Sequence, residues 1–518
     1  MSFNSYEFIF LFFPLVLLGS YVCKKVGEKI YGGRLKDTIL GAFLIVASLI
    51  FYGWLIPSNV PVLLMSMAIN YFLGWQMERI GKSATGQRTT QDNSRKALLI
   101  IGLAINLGFL AVTKYASVEF VPLGISFFTF TQIAYLMECY RGNIKGVRIL
   151  EYGFYVTFFP KLVQGPIALP GEMLAQYRNL GKRLNWEKIF RGFFLFVLGL
   201  FKKVLIADTF GRAVDYGYTN LAQLNSGDGL LLMLSFTLQL YFDFSGYCDM
   251  AMGIASLFGI ELPLNFNSPY KAVNIIDFWK RWHITLTTFF TKYLYIPLGG
   301  NRKGKSRTAI NCLIVFFLSG LWHGAGWQFI IWGMMHGVLY VLTKAFLEKQ
   351  KEKATEKSID KATDKSINKA IDKEASGLSS NWLASLRRGI SVFLTFLYVN
   401  IAWVFFRAPS VQEALSVFKT IGSLNFGRIN WDLADCFNLD EFWYIIKILR
   451  LDSWQYAHYI LLVVIVAAVL ILVFFGKNAV AYVKTAKPSL WNVLLMTVLL
   501  VWSVISFSGV SSFIYVNF

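Results

Sequence analysis

Residues Lys271 to Gly337 read KAVNIIDFWKRWHITLTTFFTKYLYIPLGGNRKGKSRTAINCLIVFFLSGLWHGAGWQFIIWGMMHG. Three of the four histidines in the chain, His283, His323 and His336, fall inside this stretch, and the first two directly follow a tryptophan. An imidazole set among so many apolar side chains needs a reason. The expectation at His323 is a neutral base or donor whose tautomer is set by its neighbours.

The surroundings of that stretch decide the fold class. Of 518 residues, 56% are hydrophobic, 17% aromatic and only 15% charged, with a mean hydropathy of +0.51. A water-soluble chain of this length cannot hide so much apolar surface, so the sequence predicts an all-α polytopic membrane protein of about a dozen helices. The formal charge of +20 does not point to nucleic acid, because the lysines and arginines lie between apolar runs instead of forming one basic face. That distribution follows the positive-inside rule. Cys23, Cys139, Cys248, Cys312 and Cys436 are scattered without a CxxC pair. They read as packing residues, and no metal-ligand set is predicted.

Outward from the histidine stretch, apolar runs recur at Phe8 to Val22, Thr38 to Leu55, Val60 to Trp75, Leu98 to Val112 and Val121 to Tyr140. Several fall short of the roughly 20 residues of a full span, which predicts tilt or re-entrance. Basic clusters alternate with poor loops, which predicts an extracytoplasmic N-terminus and cytoplasmic basic loops. Glu7 precedes the first run, and no basic region or small-residue cleavage site accompanies it, so the run reads as a retained helix. Between Tyr152 and Phe244 the apolar sequence is broken by Pro160, Gly165, Pro166 and Pro170. Broken backbone is tolerated at membrane depth only where protein buries it or water reaches it, so a central cavity or tunnel is expected.

The sequence divides into a body (1–347), a lysine-rich linker (348–380) and a C-terminal part (381–518). The linker carries KATEKSID, KATDKSIN and KAIDKEAS, an octad repeated from Lys353 to Ser376. It reads as a solvated cytoplasmic linker or, on a functional reading, a docking segment. The C-terminal part offers three further spans, Ile390 to Phe406, Tyr459 to Phe475 and Leu490 to Phe507. Three crossings from a cytoplasmic linker leave the final FSGVSSFIYVNF outside, with Phe513, Tyr515 and Phe518 as an aromatic cluster. Tyr515 is either part of an interfacial anchor or an acyl acceptor.

Four segments carry candidate chemistry. In YFDFSGYCDM, Asp243 and Asp249 each need a basic or hydrogen-bonding partner at membrane depth, whether they hold a loop or act directly. In FWKRWHITL, Phe278, Trp279, Trp282 and Leu286 share one face of a predicted amphipathic helix that also carries Lys280, Arg281 and His283. There His283 is either a helix-cap residue or a site residue. YIPLGGNRKGKSR lacks the GxxxxGK[ST] spacing and reads as a basic cytoplasmic turn, where Asn301 and Arg302 can attract a phosphorylated donor. In FFLSGLWHGAGW, Gly320, Gly324 and Gly326 surround His323, so close approach to the ring is expected, as a proton-transfer base requires. His336 reads as a packing or orienting residue, and His458 as interfacial at a helix entry.

At these residues the chain resembles the membrane-bound O-acyltransferase family, in its bacterial branch of alginate O-acetylases, peptidoglycan O-acetyltransferases and teichoic acid D-alanyl transferases. VPLGISFFTFTQIAYLMECYRG, FFPKLVQGPI, FDFSGYCDMAMGIA, NFNSPY, DFWKRWHITL, YLYIPLGGNRKG and GLWHGAGWQFIIWGMMHG carry the resemblance in order over about half the chain. It implies a helical body with a tunnel, and an acyl group taken from a cytoplasmic thioester, acetyl-coenzyme A or alternatively an aminoacyl carrier protein. It makes His323 the general base and His283 the residue that positions or polarises the thioester; Lys280, Arg281, Asn301 and Arg302 are expected on the donor side. FIYVNF looks like the tail motif that engages an extracytoplasmic partner transferase of SGNH type, with Tyr515 as transient acyl carrier and a polysaccharide as final acceptor. A glycan transporter or flippase is the competing class, although no internal repeat appears outside the octads.

Overall fold

Every regular element among the described residues is a helix. The computed structural model describes all residues except 31–35, 83–87, 117–119, 181–184, 365–376, 451–453, 455, 510, 512 and 515–518. Seven helices among the described residues are long and apolar enough to cross a membrane: Glu7–Lys29, Asn59–Gly81, Asp92–Tyr115, Ser226–Leu257, Trp327–Thr355, Trp382–Arg407 and Ala457–Phe475. Asp37–Gly53 and Leu490–Ile505 are shorter apolar helices. The expected runs from Phe8, Val60, Leu98, Ile390 and Tyr459 fall within those spans. The run from Val121 differs, because it forms a 17-residue helix, Ile125–Arg141, that is buried on nearly every side. Its uniform apolarity serves protein packing, which hydropathy cannot separate from lipid exposure.

Two compact units share the chain, one built from Met1–Arg212, Leu238–Asn265 and Lys477–Phe518, the other from Ala213–Thr237 and Phe266–Gly476. In the first, Phe3, Phe8, Phe12, Phe51 and Phe159 form an aromatic core, with ring centroids 5.0 to 6.4 Å apart. Asn70, Asn106, Gln132 and Tyr152 make a buried polar ladder between helices, including Asn106 Nδ2 to Asn70 Oδ1 at 2.6 Å and Tyr152 Oη to Gln132 Oε1 at 3.4 Å. Interhelical amide bonds of this kind hold helices where no hydrophobic force does.

The segment broken by prolines runs as Ile149–Thr157, Phe159–Leu162 and Pro170–Tyr177, and residues 151–168 are buried throughout. Protein therefore covers the interrupted backbone. Where the helix stops at Phe158, the Phe159 amide donates to Ser48 Oγ at 3.0 Å, so a side chain replaces the lost helical acceptor. Both aspartates of YFDFSGYCDM have basic partners in this unit: Asp249 meets Lys202 at 2.6 Å and Asp243 meets Lys203 at 2.8 Å.

The second unit centres on helices Lys305–His323 and Trp327–Asp364. They approach to backbone contact. A Cβ on Gly320 would overlap the carbonyl oxygen of Phe329, and one on Gly333 would stand 2.5 Å from the carbonyl oxygen of Phe316. Helix Trp327–Asp364 includes the first octad and part of the second, and the rest of the repeat, from 365 to 376, lies outside the described residues.

Candidate active site

His323 ends helix Lys305–His323 and is 4% exposed. Its ring is walled by Trp322, Trp332 and Phe406, at centroid distances of 4.6, 5.0 and 5.0 Å. His283 lies across Trp322, 6.4 Å from that indole, so one tryptophan ring stands against both histidines. The sequence places these imidazoles 40 residues apart, and the fold of the second unit brings them to a common wall.

The glycines near His323 act differently from the expectation. Gly320 serves helix contact, a Cβ on Gly324 would run into the Phe329 ring, and one on Gly326 into the Gln328 side chain. Their missing side chains are taken up by neighbouring protein, and the ring of His323 is enclosed by aromatics instead of being opened. Lacking a side chain allows close approach, but the sequence does not say by what.

The predicted amphipathic helix through FWKRWHITL is also corrected. It is two short helices, Ile275–Trp279 and Ile284–Phe290, with His283 between them at φ 45° and ψ 50°. A left-handed conformation costs a non-glycine residue roughly 1–3 kcal/mol and persists where the surroundings enforce it, often at functional sites. Its side chain makes no capping bond to the helix it starts. Phe278, Trp279, Trp282 and Leu286 are all buried, so this face packs against protein and not at a membrane interface. The break is held from outside, since the Asn267 amide donates to the Arg281 carbonyl at 2.9 Å. His283 lies outside the segments long enough to cross. Burial pushes its imidazole down to about 3, so the ring is neutral at physiological pH.

The second unit also holds a cavity of about 230 Å³. Trp279, Phe316 and Ser319 line one part of it, while Lys280, Asn301 and Lys344 supply polar groups. Ser319 precedes His323 by four residues on one helix, which puts both on the same helical face. Trp279 is 6.0 Å from Trp332, the ring that touches His323. A wider cavity of about 770 Å³ shares Asn301, Cys312 and Lys344 with the first and adds Lys305, Lys349 and Lys351. A lining that mixes Trp279, Phe290 and Phe316 with Lys280, Asn301 and Lys344 suits an amphipathic ligand.

Of the four residues predicted on the donor side, Lys280 and Asn301 line the first cavity. Asn301 Oδ1 accepts from Lys344 Nζ at 2.9 Å and from Tyr295 Oη at 2.5 Å. Arg281 is engaged with Asp277 at 2.8 Å, and Arg302 is exposed and lines neither cavity. Tyr515 lies outside the described residues. His336 packs among Phe278, Trp279, Trp332, Tyr398 and Trp403, as a packing residue should. His458 is buried, with Nδ1 2.8 Å from Asp435 Oδ1. Sequence reasoning missed Lys344 and Trp332. A single lysine within the apolar run VLYVLTKAFL was the available signal for the first, while nothing in the sequence separates Trp332 from other core aromatics.

The fold and the site together define a multi-pass helical membrane protein with two buried imidazoles against one tryptophan and, in the same unit, an amphipathic cavity. The chain belongs to the membrane-bound O-acyltransferase family, whose model matches residues 50–358, and it is an O-acyltransferase. It is 36% identical over 469 residues to the peptidoglycan O-acetyltransferase of Helicobacter pylori, covering 82% of this chain and 80% of that one. It is 33% identical over 457 residues to the protein named "Probable alginate O-acetylase AlgI" of Pseudomonas aeruginosa, covering 84% and 76%. The teichoic acid D-alanyltransferase of Bacillus subtilis is 32% identical over 251 residues, covering 45% and 60%.

Proposed function

We propose that this protein takes an acetyl group from acetyl-coenzyme A at the cytoplasmic face of a bacterial inner membrane and delivers it outward for O-acetylation of a cell-surface or secreted polysaccharide. The observation that carries this reading is the cavity lined both by Lys280, Asn301 and Lys344 and by Trp279, Phe316 and Ser319, the last one helical turn from His323. Lys280, Lys344 and Asn301 suit the phosphates of the donor, and the apolar part suits its thioester arm. The names of the two relatives matched over most of their length favour acetyl over D-alanyl.

In the reaction, the acceptor hydroxyl oxygen attacks the thioester carbonyl carbon and the C–S bond breaks. His323 takes the hydroxyl proton and returns it to the departing thiolate. General-base help of this kind is worth roughly 10²–10⁴-fold. His283, neutral and fixed by its strained backbone, positions or polarises the thioester. Tyr515 is the first acceptor on this reading, and an extracytoplasmic transferase then moves the acetyl to the polymer. Both termini lie outside on the same reading.

The test uses sealed vesicles loaded with labelled acetyl-coenzyme A and carrying wild-type, His323→Ala or Tyr515→Phe protein. Wild type should place label on the protein or an outer acceptor, His323→Ala should place none, and Tyr515→Phe should lose transfer to the polymer. Undiminished transfer by His323→Ala would refute the assignment. Movement of a glycan without acetyl transfer would favour a transporter.

A further inference from the structure

The first unit holds a charged cluster that the acyl-transfer site does not use. Lys203 Nζ donates to Asp208 Oδ1 at 2.8 Å, to Asp243 Oδ1 at 2.8 Å and to Ser511 Oγ at 3.2 Å. The lysine and Asp243 side chains are 1% and 2% exposed. Burying one ammonium and two carboxylates is costly, and such a group persists when the charges are paired and hydrogen-bonded to one another.

Local backbone explains why Lys203 and Asp208 meet. The helix widens to a π turn over Lys202–Ala207, and the Asp208 amide donates to the Lys203 carbonyl. In an α-helix, residues five apart point in different directions, whereas a π turn closes bonds from i to i+5 and returns residue i+5 beside residue i. Asp243 is contributed by the long helix Ser226–Leu257.

The remaining partners come from one short segment near the end of the sequence. Ser511 Oγ donates to Asp208 Oδ1 at 2.6 Å, and the Ile514 amide donates to Asp243 Oδ2 at 3.1 Å. Between them, the Phe513 ring lies 4.6 Å from Lys203 Nζ and 5.1 Å, edge to face, from the Tyr247 ring. Three residues thus engage both carboxylates and one face of the ammonium. A slip of one residue would withdraw the hydroxyl, the ring and the amide together, so this contact fixes register as well as position.

We propose that Lys203, Asp208 and Asp243 form a receptor for Ser511, Phe513 and Ile514 and act as positioning residues for acyl transfer. The receptor holds the chain at the residue before Tyr515. Only its purpose, delivery of an acyl carrier, rests on the proposed function above.

Hydrogen exchange at the Ile514 amide, read by mass spectrometry on the full chain in nanodiscs, tests the receptor without any acylation. Wild type should show protection at Ile514. Lys203→Met should raise its exchange at least about tenfold, as loss of a buried ion pair does to the contacts it organises, while peptides from helix Ser226–Leu257 stay protected. Should Lys203→Met expose the whole unit, Ser511→Ala and Phe513→Ala decide, because they leave the triad intact and should raise exchange at Ile514 alone. Unchanged exchange at Ile514 in the folded variants overturns the receptor. Transfer is then measured beside donor hydrolysis. Faster exchange with lost outward transfer and retained hydrolysis supports both the receptor and the relay. Faster exchange with unchanged transfer upholds the contact, overturns its positioning role and removes the relay through Tyr515.

Discussion

The imidazole of His323 meets the indole of Trp332 edge to face, with centroids 5.0 Å apart and planes at 90°. Such a contact is worth about 0.5–1.5 kcal/mol beyond the area it buries, and it fixes a ring in orientation. Trp332 is 1% exposed and also packs on Trp403 and Phe406. Trp332→Phe keeps most of the wall and should retain activity within about tenfold. Trp332→Ala should cost about 3–5 kcal/mol of stability and lower turnover by about 10²-fold, the scale of a 1 Å misplacement of a reacting group. Thermal unfolding and single-turnover kinetics check the two effects separately, and wild-type turnover in a folded Trp332→Ala protein would remove the wall from catalysis.

Gly320 has no room for a side chain, because the Phe329 carbonyl oxygen occupies the position a Cβ would take. Backbone cannot yield as a flexible side chain can. Gly320→Ala should therefore part helices Lys305–His323 and Trp327–Asp364 near the His323 ring, at a cost of about 1–3 kcal/mol, the usual penalty for overpacking. Gly108→Ala is the control, since nothing lies within 4 Å of its Cβ position. It should hold stability or raise it by up to about 1 kcal/mol. Equal melting temperatures for the two variants would show that the helix contact carries no load.

Much of this was legible in the sequence, and the gaps have physical causes. Apolar runs gave the spanning helices, since lipid demands about 20 apolar residues. Asp243 and Asp249 announced that they needed cations, yet the sequence could not say which, although the pair Lys202 and Lys203 interrupts an apolar run nearby. FWKRWHITL misled because residues 278, 279, 282 and 286 keep helical spacing through a break at His283. Periodicity records which face is buried and is blind to one residue at positive φ. The glycines around His323 signalled close approach but not the Phe329 backbone and ring that take the space. The pairing of His283 and His323 across Trp322 depends on long-range packing that no local pattern encodes.

The His283 ring gives a pH prediction with a definite sign. Burial holds it at about 3 against an ordinary value of 6.5, so between those values the unfolded chain binds a proton that the folded one does not. Stability contributed at this site therefore rises with pH across that window and is lost as pH falls below about 6.5. His283→Gln removes the titration and should flatten melting temperature against pH between about 4 and 6.5, relative to wild type. Parallel curves for the two proteins would show that the ring protonates normally in the folded state.

His336 is fully buried, and neither ring nitrogen has a hydrogen-bond partner among the described residues. It stacks on Phe278 with planes at 10° and meets Trp279 and Trp332 edge on, both at 5.2 Å. An apolar ring can make every one of those contacts. His336→Phe should therefore be neutral or stabilising by about 1–3 kcal/mol, because it removes polar atoms that burial leaves unsatisfied. It should keep acyl transfer within a few-fold of wild type. His336→Ala empties the same space and should destabilise by about 2–5 kcal/mol. Melting temperature orders the two variants, and transfer assays on the folded His336→Phe protein decide the role: a loss of about 100-fold there would mean that the nitrogens act in the chemistry, and that this histidine joins His283 and His323 in the site.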